Sequence, residues 1–370
     1  FQGQEATRPP ENNAWNLSIQ RQLSPTTVLD VAYNALIGSH LQAGLLRYNQ
    51  VDPKYLTTLG PAVLNANINS AAAQAAGIRA PFANFATLWG GGATVRQALR
   101  PYPQYNDINT FSGGGDHSGH SSYHAAVIKI DKRYGAGLTL TTSYVLSKII
   151  TNSDSFWSTD FPQTADHLNR VLDKSIGSFD VTHNFKLGLV WDLPFGKGRP
   201  LLNQGPASAI LGGWRFSSLH FYSGGRPLNI STTTSQPIFA GRNVPWVTTY
   251  DGWRGAQAKP DKFDPQTDRF FQPASFFGPQ PPVGIGNMTR YNSRLREHPN
   301  LNENISVAKS FAFTERFRMD FRWEAFNLFN RVRFGTGSNS LQSQDFGRII
   351  SNADIINAPR RMQFGLKLYW

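Results

Sequence analysis

Residues 317–325 read FRMDFRWEA, and this stretch decides the fold. Its apolar residues stand at odd positions, and its charged residues stand at the even ones: Arg318, Asp320, Arg322 and Glu324. On a helix these side chains would be spread around the whole circumference, whereas a strand sorts them onto two faces. The pattern therefore predicts a β-strand with one apolar and one charged face.

The same alternation recurs along the chain and predicts about nine strands in all. Many of the runs approach the roughly 9–11 residues that a tilted transmembrane strand needs. Two of them, 214–230 and 305–311, are less regular. The other six are 15–20, 29–34, 124–131, 138–147, 184–191 and 361–370.

Composition excludes several classes of protein. The chain has 370 residues and no Cys, which rules out a disulfide framework, thiolate metal sites and a Cys nucleophile. Mean hydropathy is −0.37, and no run approaches the roughly 18 apolar residues of a membrane-spanning helix. A transmembrane β-barrel is still possible, because alternating strands average to a polar composition.

The connections favour the barrel over a soluble sandwich. Tight turns are predicted at Ser24-Pro25, at 134–136 and at Thr314, and 194–213 is of intermediate length. The long connections span 37–122, 149–179, 231–304 and 329–360. Short and long connections alternate, which places all the short ones on one rim together with the C-terminus. We therefore predict an all-β, antiparallel transmembrane β-barrel with long extracellular loops and short periplasmic turns.

Nine strands is an odd number, whereas bacterial outer-membrane barrels have an even number. The first predicted strand also runs toward the rim that carries the short turns. We therefore expect residues 1–370 to form the C-terminal portion of one barrel, with more chain before Phe1.

Several short motifs resemble those of the Oar-like TonB-dependent receptors. The most specific of them is the penultimate-strand sequence EAFNLFN at 324–330. Each motif is weak alone, but they follow one another in the family's order along nearly the whole chain. The others lie at 15–21, 99–105, 123–148, 179–183, 193–198, 212–214 and 223–227.

The resemblance implies an outer-membrane transporter with about 22 strands and a plugged lumen. It further implies uptake driven by the TonB–ExbB–ExbD complex, which pulls on the plug. No plug, TonB box or carboxypeptidase-regulatory-like domain is recognisable within these residues. The chain would supply the later part of the barrel wall.

The charged face of 317–325 is predicted to line the lumen. The opposite placement would put Arg318, Asp320, Arg322 and Glu324 in hydrocarbon, at about 2–4 kcal/mol for each basic residue at mid-bilayer. A structural role in a wet lumen is favoured over direct contact with a solute. These charges would pair with one another or with the plug.

The last strand carries a second predicted role. Its apolar residues resemble the C-terminal signal read by the outer-membrane assembly machinery: Phe364, Leu366, Leu368 and Trp370. The alternative is an ordinary terminal strand that ends on Trp.

The aromatic-rich segment 231–304 is the predicted place for ligand recognition. Trp246, Trp253 and Arg254 would stack on sugars or grip acidic groups. Equally, the aromatic residues of this segment would fill a small core of their own, because so long a loop needs internal packing. A helical piece is predicted at 53–76, in the first long loop.

The residues contain no catalytic or metal-binding constellation. His117, His120 and His124 lie in or beside a Gly- and Ser-rich loop and are interpreted as incidental. We therefore expect no enzymatic activity, no cofactor and no metal. The net charge of +12 is scattered along the chain, which argues against nucleic-acid binding.

The leading hypothesis is a TonB-dependent receptor in the cell outer membrane. It would import a scarce solute such as an oligosaccharide, a peptide or a metal chelate, and would contact lipid and lipopolysaccharide. One alternative is a surface adhesion or structural protein anchored by the barrel. The other is a secreted, soluble β-sandwich that binds carbohydrate.

Overall fold

The structure is a computed structural model. It describes residues 8–43, 47–108, 117–135, 137–153, 164–233, 238, 243–247, 263–278, 285–314, 316–350 and 357–370. No helix among them is long and apolar enough to cross a membrane.

Nine long strands form one antiparallel sheet in the described part of the chain, and each pairs with its neighbours in sequence order. This confirms the nine predicted strands. They are β1 (Glu11–Ser24), β2 (Thr27–Leu41), β3 (Gly119–Gly135), β4 (Leu138–Thr151), β5 (His183–Asp192), β6 (Trp214–Ser223), β7 (Asn300–Ala312), β8 (Arg318–Phe326) and β9 (Arg361–Tyr369). The sheet is open, because no described strand pairs with the free edges of β1 and β9.

The predicted strand at 214–230 is too long. β6 ends at Ser223, because Gly225 lies directly against the backbone of Glu297, where a Cβ would meet the Glu297 carbonyl oxygen at 1.9 Å. The chain then forms a separate two-residue strand, Pro227–Leu228, which pairs with Asn292–Arg296. A short strand, Ser175–Ile176, pairs with the end of β4.

The strand register carries the two-faced pattern of β8 across the whole sheet. Phe321 pairs with Leu366 of β9, and Trp323 pairs with Val307 of β7. Val307 in turn pairs with Phe216 of β6. Continuing through the remaining pairs, one side of the sheet, here called the apolar face, holds Leu17, Ile19, Val31, Ile128, Ile130, Leu187, Leu189, Phe216, Val307, Phe321, Trp323 and Leu366.

The opposite side, here called the polar face, collects the intervening residues. Arg322 lies between Ala308 and Gly365, and Asp320 lies between Ser310 and Lys367. Apolar exceptions on this face include Val28, Val127, Val145, Val190, Leu219 and Phe221. Its polar residues include Asn16, Ser18, Gln20, Asp30, Asn34, Lys129, Asp131, Thr141, Ser143, Lys186, Ser217, Asn302, Asn304, Ser306 and Gln363.

The connections alternate as predicted. Two residues, Pro25 and Thr26, join β1 to β2, and similarly short turns join β3 to β4 and β7 to β8. The long connections begin after Leu41, Thr151, Ser223 and Phe326, so they leave from the opposite rim. The first long connection, 42–118, is shorter than predicted because β2 and β3 extend beyond their predicted bounds. The third, 224–299, is slightly longer because β6 ends before residue 230.

The hydrophobic core lies in the loops and not against the sheet. One cluster joins the third and fourth long connections and contains Phe270, Phe271, Phe277, Met288 and Phe346. A second cluster fills the first long connection and contains Leu56, Leu64, Phe85 and Val95. On the apolar face, by contrast, Ile19 is 69% exposed and Phe364 is 74% exposed.

The predicted helical piece at 53–76 is divided into three short helices. Gly60 takes a positive φ of 77° and Ala66 is extended, so the helix cannot continue through either residue. The helices are α1 (Lys54–Thr58), α2 (Gly60–Asn65), α3 (Ala71–Ala75), α4 (Phe85–Trp89), α5 (Val95–Ala98) and α6 (Gly205–Leu211). Within the described ranges, single-turn 3-10 helices lie at Gly90–Gly92, Arg170–Asp173 and Ala274–Phe276.

The two faces predict different tolerance to charge. Ile128→Arg, on the apolar face near the middle of β3, should lower the free energy of unfolding by about 2–4 kcal/mol in a bilayer. Val127→Arg is the matched control on the polar face and should cost about 1 kcal/mol or less. Reversible unfolding of the full-length protein in phospholipid vesicles measures both. Equal losses would contradict the assignment of the two faces.

Candidate functional site at the polar face and its rims

The four charged residues of β8 lie together on the polar face and pair along their own strand. Arg322 contacts Glu324 at 2.5 Å, and Arg318 contacts Asp320 at 3.5 Å. Ser310 donates a hydrogen bond to Asp320 at 2.6 Å, and Gln363 donates to Glu324. The charges are thus largely neutralised within the wall. That this face lines a lumen stays a prediction.

A small cavity of about 420 Å³ lies at the rim with the short connections. Asp192 at the end of β5 accepts from Arg215 at 2.6 Å and contacts Arg199 at 3.7 Å. Asp320 and Arg322 line the same cavity. This rim therefore carries interleaved positive and negative groups.

A larger cleft of about 960 Å³ lies at the opposite rim, where the long connections begin. Asn300, Asn302 and Asn304 line it from one strand, β7, because alternate residues share a face. Phe221, which is paired with Asn302, and Phe326 add two aromatic rings. Arg361 also lines the cleft. Amides donate and accept hydrogen bonds at once, so the amide part of this lining suits a hydroxyl-rich molecule.

Two of these three side-chain amides make no hydrogen bond within the described part of the chain. The Asn304 side chain accepts from the Asn327 backbone N–H at 3.0 Å. Asn300 and Asn302 make no side-chain hydrogen bond to another described residue. The cleft was not predicted from the sequence. The signal that would have revealed it is the alternation Asn300, Asn302, Asn304 at the start of β7.

The EAFNLFN motif folds as the turn that ends β8 beside this cleft. Asn327 adopts a left-handed φ of 51°, which Asn tolerates better than most residues. Its side-chain amide donates to the carbonyls of Arg331 at 2.9 Å and Ala358 at 3.1 Å, and its carbonyl accepts from the Arg331 N–H. Asn330 has a φ of 52° and accepts from the Arg360 N–H. The motif therefore ties both ends of the last long connection together.

Two buried carboxylates attach the long connections to the sheet. Glu303, which is fully buried in β7, binds Arg331 through both carboxylate oxygens at 3.1 Å. Asp180 accepts from the Ile149 N–H at 2.9 Å and from Arg296 at 2.7 Å. Asp180 thereby joins the end of β4 and the strand Asn292–Arg296. Both ion pairs connect residues that are distant in sequence.

The predicted loop contacts are only partly within the described residues. Trp246 lies in the two-residue strand Trp246–Val247, which pairs with Phe277–Gly278, and its side chain is exposed. Trp253 and Arg254 lie outside the described residues. Phe270, Phe271 and Phe277 of the same segment are buried in a loop core. Most of the described aromatic residues therefore pack, while Trp246 is open to solvent.

The histidines near the Gly-rich loop have separate partners. The His117 ring contacts the Arg8 carbonyl at 2.5 Å, and the His124 ring contacts the Tyr33 hydroxyl at 2.7 Å. Among the described residues, no group of three or more His, Asp or Glu side chains is arranged to hold a metal ion.

The predicted assembly signal lies on the apolar face of β9. Phe364, Leu366 and Leu368 are all exposed there, and each pairs with an apolar residue of β8. Trp370 follows the last strand residue and is 92% exposed.

The chain matches the family described as Outer membrane beta barrel domain over residues 1–363. No curated protein matches it. The solved outer membrane transporter YddB from Escherichia coli is similar over 97% of this chain and 32% of its own, at 8% identity and a TM-score of 0.39. P. aeruginosa FpvA, solved with bound heterologous pyoverdines, is similar over 98% of this chain and 27% of its own, at 8% identity and a TM-score of 0.36. The chain therefore spans about a third or less of the length of either structure.

The stability of the protein is predicted to depend strongly on the buried ion pair between Asp180 and Arg296. Asp180→Ala leaves Arg296 without its carboxylate partner and should lower the free energy of unfolding by about 3–5 kcal/mol. Asp52→Ala removes the exposed pair with Lys54 and should cause no measurable loss. Chemical unfolding of the two variants measures the difference, and limited proteolysis should cut Asp180→Ala first within 224–299. A stability of Asp180→Ala equal to the wild type would contradict this role.

Proposed function

The chain belongs to the outer membrane beta barrel domain family, and we propose that it forms part of the wall of a TonB-dependent receptor that imports a scarce solute. Its location in the bacterial outer membrane and its transmembrane β-barrel fold follow from the family. Solute uptake, energisation and partners are the proposed part.

The two-faced sheet is the observation that carries the proposal. An antiparallel sheet with an apolar and a polar face, both exposed, needs hydrocarbon on one side and water or polar protein on the other. We assign lipid to the apolar face and the lumen to the polar face. A soluble sandwich would bury the apolar face against a second sheet, whereas Leu17, Ile19 and Phe364 on this face are 66%, 69% and 74% exposed.

The polar face suits a lumen that holds a second protein body. Its charges are paired along β8 and across to β7, so they offer hydrogen-bonding groups without a strong excess of one sign. Such a surface accommodates both water and a plug. The resemblance of the motifs at 15–330 to Oar-like receptors supports a plug, and with it the TonB–ExbB–ExbD complex as partner. The exposed apolar residues of β9 support recognition by the outer-membrane assembly machinery.

The cleft beside β7 is the proposed contact for the solute. It opens at the rim with the long connections, which is the extracellular rim in barrels of this kind. The Phe221 ring and two amides with no hydrogen bond to another described residue favour an oligosaccharide over a peptide or a metal chelate, because hydroxyl groups match amides and sugar rings stack on aromatic faces. The proposed function is binding and transport, with no catalytic step and no cofactor.

A second candidate is an adhesion or structural protein anchored by the same barrel. The two loop cores favour it, because they give the extracellular connections a folded body of their own. In this case uptake would be absent, and the loops would contact another surface.

Growth of the native bacterium distinguishes the two. We expect deletion of this protein, and separately deletion of the TonB protein, to abolish growth on the same scarce oligosaccharide within a panel of oligosaccharides, peptides and iron chelates. Unchanged growth on the whole panel, together with loss of surface attachment, would favour the adhesion protein and contradict the receptor.

The cleft is tested separately by the double variant Asn300→Ala/Asn302→Ala. Each lost hydrogen bond is worth about 1 kcal/mol, so the solute concentration for half-maximal uptake should rise about ten- to thirtyfold. Asn12→Ala is the matched control, since Asn12 lies on the polar face at the same rim but at the far edge of the sheet. Equal uptake by all three proteins, at equal amounts in the membrane, would exclude the cleft as the solute contact.

A further inference from the structure

The connection between β5 and β6 carries a helix against the apolar face. This helix, α6, ends beside Trp214, whose indole N–H donates to the Ile210 carbonyl at 3.0 Å. Lys309 of β7 donates to the carbonyls of Ala209 and Ile210 at 2.6 and 2.7 Å. Trp214 and Lys309 are paired in the sheet and lie on its apolar face. The C-terminal end of α6 is therefore held over that face, at the rim with the short connections.

Lys309 is a charged residue on the apolar face, and its partners on the two neighbouring strands are Trp214 and Phe321. It is only 4% exposed. The carbonyls at a helix C-terminus have no partner within the helix and carry partial negative charge, so they suit an ammonium group. The rings of Phe311 and Trp214 lie 4.6 and 5.3 Å from the Lys309 nitrogen and add favourable cation–π contacts. Lys309 thus attaches the helix to the wall and is itself shielded by it.

The outer side of this connection is apolar and uncovered. Ile210 is 67% exposed and Leu211 is 48% exposed, and Leu201 and Leu202 are similarly open. No residue of α6 is buried. A helix of this length is unstable alone in water. Its exposed apolar side chains contribute no hydrophobic stabilisation while they face water. They belong to the connection between the strand ends that carry Trp191 and Phe216 of the apolar face.

The two ends of the connection, at Gly196 and Gly212, pack closely against each other. Gly196 has a φ of 105°, and a Cβ on it would meet the Gly212 α-carbon at 2.5 Å. The two ends of the connection therefore touch through bare backbone. The motifs at 193–198 and 212–214 are therefore in direct backbone contact at the base of the connection.

We propose that residues 194–213 form a foot that lies in the inner leaflet of the outer membrane, with Ile210, Leu211, Leu201 and Leu202 in contact with phospholipid acyl chains. The inference rests on the proposed assignment of the apolar face to lipid. The short connections lie at the periplasmic rim, so the leaflet next to the foot is the phospholipid one. A short amphipathic segment with its apolar side in the headgroup and acyl boundary is a known mode of membrane attachment.

The absence of Cys allows a direct test by spin labelling. A nitroxide is attached at Ile210→Cys in the full-length protein, in vesicles of phosphatidylethanolamine and phosphatidylglycerol. Power saturation then compares collisions with oxygen, which concentrates in lipid, and with a water-soluble nickel chelate. We expect the label at 210 to be at least threefold more accessible to oxygen than to nickel, as at Ile128→Cys. The label at Lys197→Cys, in the same connection, should show the reverse.

Three outcomes overturn the inference. Nickel accessibility at 210 equal to that at 197, with 128 still in lipid, would exclude the foot and leave the proposed function intact. Low accessibility at 210 to both reagents would show that protein covers the foot instead of lipid. Nickel accessibility at 128 would contradict the proposed function itself.

A second variant tests the attachment. Lys309→Met keeps the long side chain but removes the ammonium group that binds the helix carbonyls. We expect the label at 210 to become at least threefold more accessible to nickel in this background, while the label at 128 is unchanged. No change at 210 would contradict the role of Lys309 in holding the foot.

Discussion

The alternation of side chains across paired strands is the constraint on which the rest of the structure depends. Once β8 pairs in register with β7 and β9, every residue of the three strands is assigned to one face. A shift by one residue would exchange the two faces completely. The register continues through six further strands without exchanging the faces. A sheet of this kind suits two different environments, and the proposed assignment of lipid to the apolar face and a lumen to the polar face supplies them.

The loops follow from the same constraint. Because the sheet faces lipid on one side, it cannot provide a conventional core, and the buried apolar residues are found in the long connections. Those connections need firm attachment to the strand ends. Asp180 with Arg296 and Glu303 with Arg331 provide it through buried ion pairs, and Asn327 provides it through a left-handed turn. The motifs at 179–183 and 324–330 thus lie at these attachments.

The sequence predicted the strands well, because the alternation in each of them is local. It placed all nine strands and the two rims, and it placed the β8 charges on one face.

Prediction from the sequence failed where a residue distant in the chain decides the structure. β6 ends at Ser223 because of Glu297, and the pairs of Asp180 and Glu303 join residues far apart in the chain. The helix at 53–76 was predicted from its composition alone. Gly60, whose positive φ interrupts the helix, was not taken into account. The foot at 194–213 looked like a turn of intermediate length, because the partner of its helix is Lys309. The roles of Trp246, Trp253 and Arg254 stay predictions.

The most direct test of the two-environment account is a single-cysteine scan of residues 318–324 in vesicles. Each variant is tested for reaction with a water-soluble maleimide and, after labelling with a fluorophore, for quenching by nitroxide lipids. The account predicts a period of two, with maleimide reaction at 318, 320 and 322 and lipid quenching at 319, 321 and 323. Uniform values along the strand, or the opposite phase, would contradict it.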